Sequence, residues 1–336
     1  MNALQKISIL LLCLACFQTA RAGWVRQNAN TLAWLHDVYF SDENHGFIAG
    51  SGGTFLETRN GGNTWTKRKN FTADKILQIY FTDAFKGWLL CERDPFSRGA
   101  QSISYLMKTT DGGENWERVE FKDAGRTRLT KIFFNQKGKG FAIGESGAFF
   151  ELDDGGNWGK SPSPVRYLLL DGAFFSDTSG AVVGAGGSAY FTEDAGASWN
   201  ASNVFAGGGA GKLTAVFFAD RKNGWAVGSQ GKILQTASGG KTWREQRSGV
   251  GADLLGVFFK DASEGWAVGD EGVILHTSTG GNSWVLEDAS VKHRLEKVIF
   301  VGKKGFAVGF GGTIMIYGEN NSKNQFAVKP VLQRRN

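Results

Sequence analysis

The sequence predicts an all-β protein, a seven-bladed β-propeller built from four-stranded antiparallel blades. Three repeated features predict this fold: a short apolar phrase bounded by glycine, an apolar run before it, and a turn ending in tryptophan after most copies. The phrase occurs seven times, and its leading glycines, from Gly46 to Gly305, lie 41, 53, 40, 44, 41 and 40 residues apart. A period near 40 residues with glycine-rich turns is typical of propeller blades.

The first 22 residues have the pattern of a secretory signal peptide. Lys6 precedes an apolar stretch at residues 7–17, and Ala-Arg-Ala at 20–22 fits a cleavage site. Eleven apolar residues are too few to span a bilayer. Cys16, three residues after Cys13, leaves acylation of a lipoprotein open as an alternative. The sequence therefore predicts export, to the periplasm or, in a photosynthetic host, to the thylakoid lumen.

We expect the propeller to span residues 23–318 and residues 319–336 to form a polar, basic tail. Cleavage removes Lys6 and Arg21, which lowers the formal net charge from +6 to about +4. Cys91 is then the only cysteine of the mature chain, so no internal disulfide can form and we expect this thiol to be buried. Stability must then come from packing between neighbouring blades.

The apolar run before each phrase predicts the innermost strand of a blade. In Val216-Phe217-Phe218 apolar and polar side chains do not alternate, as expected of a strand covered on both faces by other blades. The run recurs as Val38-Tyr39-Phe40, Ile79-Tyr80-Phe81, Ile132-Phe133-Phe134, Ala173-Phe174-Phe175, Val257-Phe258-Phe259 and Val298-Ile299-Phe300.

The turn before the outermost strand fits the Asp-box pattern S/T-x-D-x-G-x-T/S-W. Residues 109–116 and 192–199 fit it closely, and residues 58–65, 151–158, 236–243 and 277–284 are degraded copies. We expect Asp, Asn or Ser to accept backbone N–H bonds, Gly to adopt positive φ, and Trp to fill the seam between blades. No Ca²⁺ site is expected, because several of these turns lack the carboxylates that Ca²⁺ prefers.

The seventh blade lacks this turn, and the start of the mature chain supplies what is missing. Gly23 to Gln27 resembles the stretch that follows each turn, so we predict that an N-terminal strand joins the last blade and closes the ring. Trp34 is then the one tryptophan without an assigned place. Residues 92–105 form an insertion that lengthens blade two.

These repeats together resemble the photosystem II stability/assembly factor propellers, a branch of the Asp-box (BNR-like) repeat proteins. The resemblance rests on the 40-residue period, the Val-Phe-Phe strand, the Gly-Trp-Ala-Val-Gly phrase and the Thr-x-Asp-Gly-Gly-x-x-Trp turn, and it covers residues 23–318. It implies a non-enzymatic lumenal or periplasmic protein that assists a newly made membrane protein. The cleavage site departs from the lipobox expected of the cyanobacterial members.

Two other functions stay open from the sequence. An Asp-box glycosidase or carbohydrate-binding propeller would use acids near the channel, for which Asp37, Asp171 and Asp253 are candidates. No proline follows Arg-Ile, so the sialidase hallmark is absent. An envelope scaffold accessory to a transport system is the third option. We expect no catalytic residue, cofactor or metal, since the four histidines lack ligand spacing and the glycine-rich stretches open no helix.

Positive charge recurs where the inner strands begin. The positions just before them are Trp34, Lys75, Arg128, Leu169, Lys212, Asp253 and Arg294. Because all these strands start at one face, we predict a partial basic ring around one channel mouth. It would bind acidic or extended segments of a protein client, with anionic lipid headgroups as a second partner and nucleic acid excluded by the modest net charge. We expect a monomer whose partner-binding residues are Lys75, Arg93, Arg98, Arg128, Lys131, Lys212, Arg294 and Lys297.

Overall fold

The computed structural model describes residues 22–69, 71–94, 102–207 and 211–319, and it confirms the seven-bladed propeller. The predicted signal peptide and basic tail lie almost entirely outside these residues. We name the strands of each blade A to D from the central channel outward. The A strands are Leu35–Phe40, Lys75–Phe81, Leu129–Phe134, Leu169–Phe174, Leu213–Phe218, Leu254–Phe259 and Leu295–Val301.

The B strands contain the glycine-bounded phrases, and their residues are almost all buried. They are Gly46–Gly50, Gly87–Glu92, Gly140–Gly144, Gly180–Gly184, Gly224–Gly228, Gly265–Gly269 and Lys304–Gly309. The C strands are Phe55–Thr58, Ser104–Thr109, Phe149–Leu152, Ala189–Thr192, Ile233–Thr236, Ile274–Thr277 and Thr313–Glu319. The D strands of blades one to six are Thr66–Lys67, Glu117–Val119, Trp158–Lys160, Asn200–Ala201, Thr242–Gln246 and Val285–Glu287.

Single 3₁₀ turns connect the B and C strands of blades one and three to seven. These turns are Ser51–Gly53, Glu145–Gly147, Ala185–Gly187, Ser229–Gly231, Asp270–Gly272 and Phe310–Gly312. In the described part of the chain no helix is long and apolar enough to cross a membrane.

The ring closes through the N-terminal strand, as predicted. Ala22–Asn28 is the D strand of blade seven and pairs antiparallel with Thr313–Glu319 over seven residues. Trp24 packs against Phe300 and Tyr317, with ring centroids 6.0 and 5.4 Å away. The two ends of the chain therefore share one sheet.

Each A strand carries a β-bulge near its start, such as the register shift between Leu35 and Asp37. A bulge reorients the side chains that follow it. The residue after the bulge lines the central channel in all seven blades; these residues are Asp37, Gln78, Lys131, Asp171, Ala215, Gly256 and Lys297.

The hydrophobic core lies between blades rather than within one centre. One cluster joins Phe133 and Phe141 of blade three to Leu169 and Val182 of blade four. Six further clusters of buried residues fill other parts of the described ring. Each blade is thus stabilised by its neighbours.

The Asp-box turns use the predicted backbone hydrogen bonds. In blade two Thr109 Oγ1 accepts the N–H of Gly113 at 3.0 Å, and Asp111 Oδ1 accepts the N–H of Asn115 at 3.0 Å. Gly62, in the same turn of blade one, has φ of 76°, and a Cβ there would overlap the ring of Phe306 in blade seven. No group of three potential metal-binding side chains occurs among the described residues.

Two details differ from the prediction. Leu169 pairs with Gly184 as Leu35 pairs with Gly50, so the inner run of blade four is Gly172-Ala173-Phe174 and the residue before the strand is Leu168. The sequence prediction placed this run one residue too late because Phe175 was matched to the last aromatic residue of the other inner runs. Blade five has five strands, because Asn203–Phe205 pairs parallel with its D strand.

Candidate functional site: the channel and its mouth

The D–A linkers and B–C turns meet at one end of the channel, which we call the mouth face. In six blades the first residue of the B–C turn donates its N–H to the residue just before the A strand. Glu145 bonds in this way to the carbonyl of Arg128 at 2.9 Å, and Ser229 to that of Lys212 at 3.0 Å. In these six blades the residue before the A strand therefore lies directly beside a turn residue.

Lys75 and Arg128 share one buried acid. Lys75 Nζ lies 2.9 Å from Glu92 Oε1, and Arg128 Nε lies 3.0 Å from Glu92 Oε2. Arg128 also contacts Glu145 at 3.1 Å. The glutamate side chain is only 8% exposed, so these bases are held in fixed positions rather than free in solvent.

Arg294, which precedes the A strand of blade seven, has a similar environment. Its Nε lies 2.9 Å from Glu296 and 3.6 Å from Asp270. Its guanidinium lies 5.5 Å from the ring centroid of Trp34, whose Nε1 donates to Glu296 at 2.8 Å. Trp34, unassigned by the sequence, thus belongs to the mouth.

The insertion in blade two contributes Arg93, which is also paired. Arg93 contacts Glu120 and the carbonyl of Ser102, and its guanidinium lies 4.4 Å from the ring centroid of Tyr105. Arg98 lies outside the described residues.

Lys212 differs from the other mouth bases. It is exposed and makes no ion pair with any residue the structure describes. The seven mouth positions hold four bases and one acid, but the B–C residues beside them reverse that excess. Those residues carry four acids and one base, namely Glu92, Glu145, Asp270, Glu271 and Arg93. Turn acids that the sequence analysis did not consider therefore offset the bases at these particular positions.

An exposed apolar patch lies where blades seven and one meet at the mouth. Leu32 is 89% exposed and Phe310 is 49% exposed. The ring of Phe310 lies 5.5 Å from that of Trp34 and 6.3 Å from that of His293. We call these four residues the Trp34 patch. The unassigned Trp34 was the one sequence signal that pointed to it.

Lys131 and Lys297 lie inside the channel, which has a volume of about 580 Å³. Lys131 Nζ contacts Asp171 Oδ1 at 3.0 Å. Asp37 and Asp171 balance the two lysines, so the channel wall carries no net charge from these four groups. The sequence placed both lysines in the basic ring without these counter-ions.

The channel environment shifts the protonation of these groups. Burial raises the pKa of Asp37 despite the opposing effect of Lys297 and Lys131. Burial disfavours the charged form of Lys131, but Asp171 and Asp37 outweigh it and raise its pKa. Burial, and then repulsion from Lys131, lowers the pKa of Lys297.

The acids considered for hydrolysis all have backbone partners. Asp37 accepts the N–H of Ile79 in blade two at 2.8 Å, and Asp171 accepts that of Val216 in blade five at 2.9 Å. Asp253 accepts the N–H of Gln230 at 2.8 Å. Asp37 and Asp171 thus connect neighbouring blades, a structural task that explains their presence without chemistry.

The thiol of Cys91 is buried, as expected. Burial raises its pKa to about 12, so the reactive thiolate is scarce at neutral pH.

Comparisons with known proteins agree with the fold and name a family. A family model described as "Photosynthesis system II assembly factor YCF48" matches residues 17–124, 151–245, 210–286 and 249–330. A relative from Nostoc sp. (strain PCC 7120), named photosystem II assembly lipoprotein Ycf48, is 26% identical over 281 residues. That match covers 71% of this chain and 82% of the relative.

Two further matches point the same way. The photosystem II stability/assembly factor HCF136, chloroplastic, of Oryza sativa subsp. japonica is 28% identical over 155 residues, covering 44% of this chain and 35% of the relative. A solved structure described as YCF48 bound to D1 peptide aligns with a TM-score of 0.71 at 22% identity. It covers 88% of this chain and 94% of that one, and the likeness shows a shared fold.

Proposed function

The chain belongs to the family of the photosystem II assembly factor Ycf48, and we propose that it holds a polypeptide segment of a membrane-complex subunit at its mouth face. The observation that carries this proposal is the family match, which extends over most of the ring. The curated relatives are named as assembly factors, and the related YCF48 structure is described as bound to a D1 peptide. Assembly factors are non-catalytic, so these names favour a protein-binding role over a glycosidase.

The paired bases of the mouth suit a client that carries carboxylates. The Arg294–Asp270 pair is partly exposed, and such a pair contributes only about 0–1 kcal/mol, so a client carboxylate can replace Asp270 at little cost. Arg294, between Asp270 and Glu296, is well placed for such an exchange. Lys212 has no described ion pair to give up.

The Trp34 patch adds apolar contact to this surface. Tryptophan and arginine are enriched among the residues that dominate binding energy at interfaces. Trp34 and Arg294 lie against each other, and Phe310 extends the apolar surface beside them. We therefore propose an extended client segment with apolar and acidic side chains, bound across the mouth.

The other predicted partner-binding residues differ in how readily a client could reach them. Lys75, Arg93 and Arg128 present bases that are already fixed by acids. Lys131 and Lys297 can be reached only by a group that enters the channel. Arg98, on the insertion, remains a proposed contact outside the described residues.

The relatives' names, a lipoprotein and a chloroplastic factor, agree with an exported or lumenal protein. We propose the periplasm, or the thylakoid lumen in a photosynthetic host, as the compartment and a monomer as the working form. Cell fractionation of the native host tests the compartment. Light scattering of residues 23–336 tests whether the protein is a monomer.

Affinity capture from detergent-solubilised membranes of the native host tests the function. The bait is residues 23–336, compared with a mouth variant carrying Trp34→Ala, Lys212→Met and Arg294→Met. Neutral replacements are preferable because a glutamate at 294 would face Asp270 and Glu296 and could unfold the site. The matched control carries Lys86→Met, Lys222→Met and Lys303→Met, three exposed A–B hairpin positions on the opposite face.

We expect the native bait and the control to capture the same membrane-protein client in similar amounts. The mouth variant should capture at least tenfold less of it. Equal capture by all three baits would place the client elsewhere on the ring. Failure of the native bait to retain any membrane protein would count against the function itself and favour a glycan panel as the next assay.

A further inference from the structure

The mouth face is not uniform in charge around the ring. The D–A linkers that lead into blades four and five, together with the B–C turns of these blades, contain the bases Arg166, Lys212 and Lys232 and no Asp or Glu. Every other pair of neighbouring blades has at least one acid in the corresponding segments. We call this part of the mouth face the blade-four corner; its described segments are residues 161–168, 185–188, 202–207, 211–212 and 229–232.

Direct contacts join these segments into one surface. The carbonyl of Leu168 accepts the N–H of Ala185 at 2.8 Å, which joins the linker before blade four to the B–C turn of that blade. A Cβ on Gly187 of this turn would lie 3.6 Å from the carbonyl oxygen of Gly211, in the linker before blade five. The carbonyl of Lys212, the next residue, accepts an N–H of the B–C turn of blade five at 3.0 Å.

The acids at the border of the corner do not cancel its bases. On the blade-three side, Glu145 contacts Arg128 at 3.1 Å and Glu151 contacts Lys139 at 3.6 Å. On the other side, residues 242–253 contribute two acids and two bases, namely Glu245, Asp253, Arg244 and Arg247. The corner therefore keeps a local excess of positive charge.

One large aromatic side chain projects from the corner. Tyr167 lies between Arg166 and Leu168 in the linker before blade four, and it is 67% exposed. Arg166 and Lys212 are exposed as well, while Leu168 is half-buried. A tyrosine ring with a polar tip suits the boundary between water and lipid, and bases beside it attract anionic headgroups.

We propose that the blade-four corner docks the ring onto an anionic lipid surface. Arg166 and Lys212 face the phosphates of the headgroups, and Tyr167 enters the headgroup layer. The excess of bases over acids in these segments complements the negative charge of such a surface. This inference concerns lipid alone and does not depend on the client proposed above.

The Trp34 patch, although apolar, is less suited to anionic lipid. The guanidinium that borders it is already paired with two acids, Asp270 and Glu296, which an anionic surface would repel. In a ring of seven blades, blade one lies across the channel from blades four and five. Docking through the corner therefore leaves the Trp34 patch free to meet a protein client.

Co-sedimentation of the chain from residue 23 with lipid vesicles tests this inference. The vesicles contain phosphatidylcholine with phosphatidylglycerol, or phosphatidylcholine alone. The native chain is measured beside a parent in which the bases of the tail are glutamine, so that the tail does not mask the corner; these bases are Lys323, Lys329, Arg334 and Arg335. The corner variant adds Arg166→Gln, Tyr167→Ser and Lys212→Gln to this parent.

The matched control adds Arg221→Gln, Lys222→Gln and Phe85→Ser to the same parent. It also removes two exposed bases and one exposed aromatic ring, since Phe85 is 66% exposed, but from A–B hairpins on the opposite face. We expect the corner variant to bind anionic vesicles at least tenfold more weakly than the parent, because each base near the surface strengthens binding about fivefold. The control should bind like the parent, and so should Leu32→Ser in the Trp34 patch.

A fluorescent label reports which part of the ring meets the lipid. Cys91, the one other cysteine after residue 22, is buried, so Tyr167→Cys can be labelled selectively with an environment-sensitive fluorophore. Its emission should shift to the blue when anionic vesicles are added, whereas the same label at Phe85→Cys should not respond. High salt should reverse the shift.

Three results would overturn the proposal. The first is equal binding of the parent to anionic and neutral vesicles, and the second is equal binding of the corner and control variants to anionic vesicles. The third is binding of soluble hexaglutamate that the corner variant loses, without any binding of vesicles. That result would assign the corner to an acidic peptide instead of a lipid surface.

Discussion

Oδ2 of Asp37 in blade one accepts a hydrogen bond of 2.8 Å from the backbone N–H of Ile79 in blade two. Asp171 repeats this bond to Val216 between blades four and five, at 2.9 Å. In blade two the same position is Gln78, whose amide oxygen accepts the N–H of Ile132 in blade three at 2.8 Å. One side-chain position therefore ties three pairs of blades together at the channel wall.

Asp37→Ala tests the importance of this connection. The substitution leaves the N–H groups of Val38 and Ile79 without their acceptor and removes a counter-charge of the channel lysines. We expect the free energy of unfolding to fall by about 2–5 kcal/mol, measured by urea denaturation. Asp154→Ala, at an exposed turn position, should change it by less than about 0.5 kcal/mol. Similar values for the two variants would contradict a structural role for Asp37.

Thr109→Val removes a hydroxyl group that accepts the N–H groups of Asp111 and Gly113 in the Asp-box turn and donates to Asp111 Oδ1. Valine has the shape of threonine but cannot accept the N–H of Gly113, which is buried. We expect a loss of about 1–3 kcal/mol in the free energy of unfolding. Thr110→Val, one residue further on and exposed, is the matched control and should be nearly neutral. A neutral Thr109→Val would mean that solvent satisfies this turn.

His36 makes stability depend on pH in a defined window. Burial, then Lys75 and Arg294, lower its pKa from 6.5 to about 4. Between these two values the unfolded chain binds a proton that the folded chain does not, so stability falls as the pH falls. The contribution is complete above pH 6.5, lost as the pH approaches 4, and amounts to about 3 kcal/mol.

His36→Gln removes this titration. We expect the slope of unfolding free energy against pH to decrease by up to about 1.4 kcal/mol per pH unit between pH 6.5 and 4. His293→Gln, at an exposed position, should retain the native slope. Parallel slopes for native protein and His36→Gln would show that His36 is protonated in the folded state.

Cys91 should be inert in the folded protein. Its side chain is fully buried and its pKa is raised to about 12. We expect an aromatic disulfide reagent to react with residues 23–336 at the rate of unfolding rather than at the rate of a free thiol. Fast stoichiometric reaction without denaturant would indicate an open path to blade two.

The sequence predicted those parts of the fold that repeat. Seven copies of the Gly-bounded phrase located every blade, and the missing turn of blade seven located the closing strand at Gly23 to Gln27. Blade four was displaced by one residue because Phe174-Phe175 offered two equivalent matches. Asn203–Phe205 was missed because a strand of three residues within a linker has no periodicity to detect.

The mouth and channel were harder to predict because several of their bases pair with acids that are distant in the sequence. Glu92 is 17 residues from Lys75 and 36 from Arg128, yet it lies within 3.0 Å of both. Bases at one repeat position are visible in a sequence, whereas the acids that pair with them come from turns and neighbouring blades. The sequence therefore identified the bases that precede the A strands but not the acids that pair with them.

Trp24→Ala tests the closure of the ring. Trp24 packs on Phe300 and Tyr317, and its Nε1 donates to Glu287 Oε2 of blade six at 2.8 Å. Removing the indole leaves a cavity and takes away one hydrogen bond of Glu287, which keeps its contact with His276 at 3.4 Å, so we expect a loss of about 3–5 kcal/mol. Trp24→Phe keeps most of the packing but loses the hydrogen bond. Its free energy of unfolding should therefore lie between those of the native protein and the Trp24→Ala variant.

The pattern of hydrogen exchange distinguishes closure from general packing. Because residues 22–28 are held in blade seven mainly through their pairing with residues 313–319, the Trp24→Ala variant should lose amide protection first in those two strands. Trp243→Ala, which empties a fully buried site in blade five, should instead lower protection around residues 233–246. Uniform loss of protection around the ring in the Trp24→Ala variant would show that the propeller opens as one cooperative unit rather than from its seam.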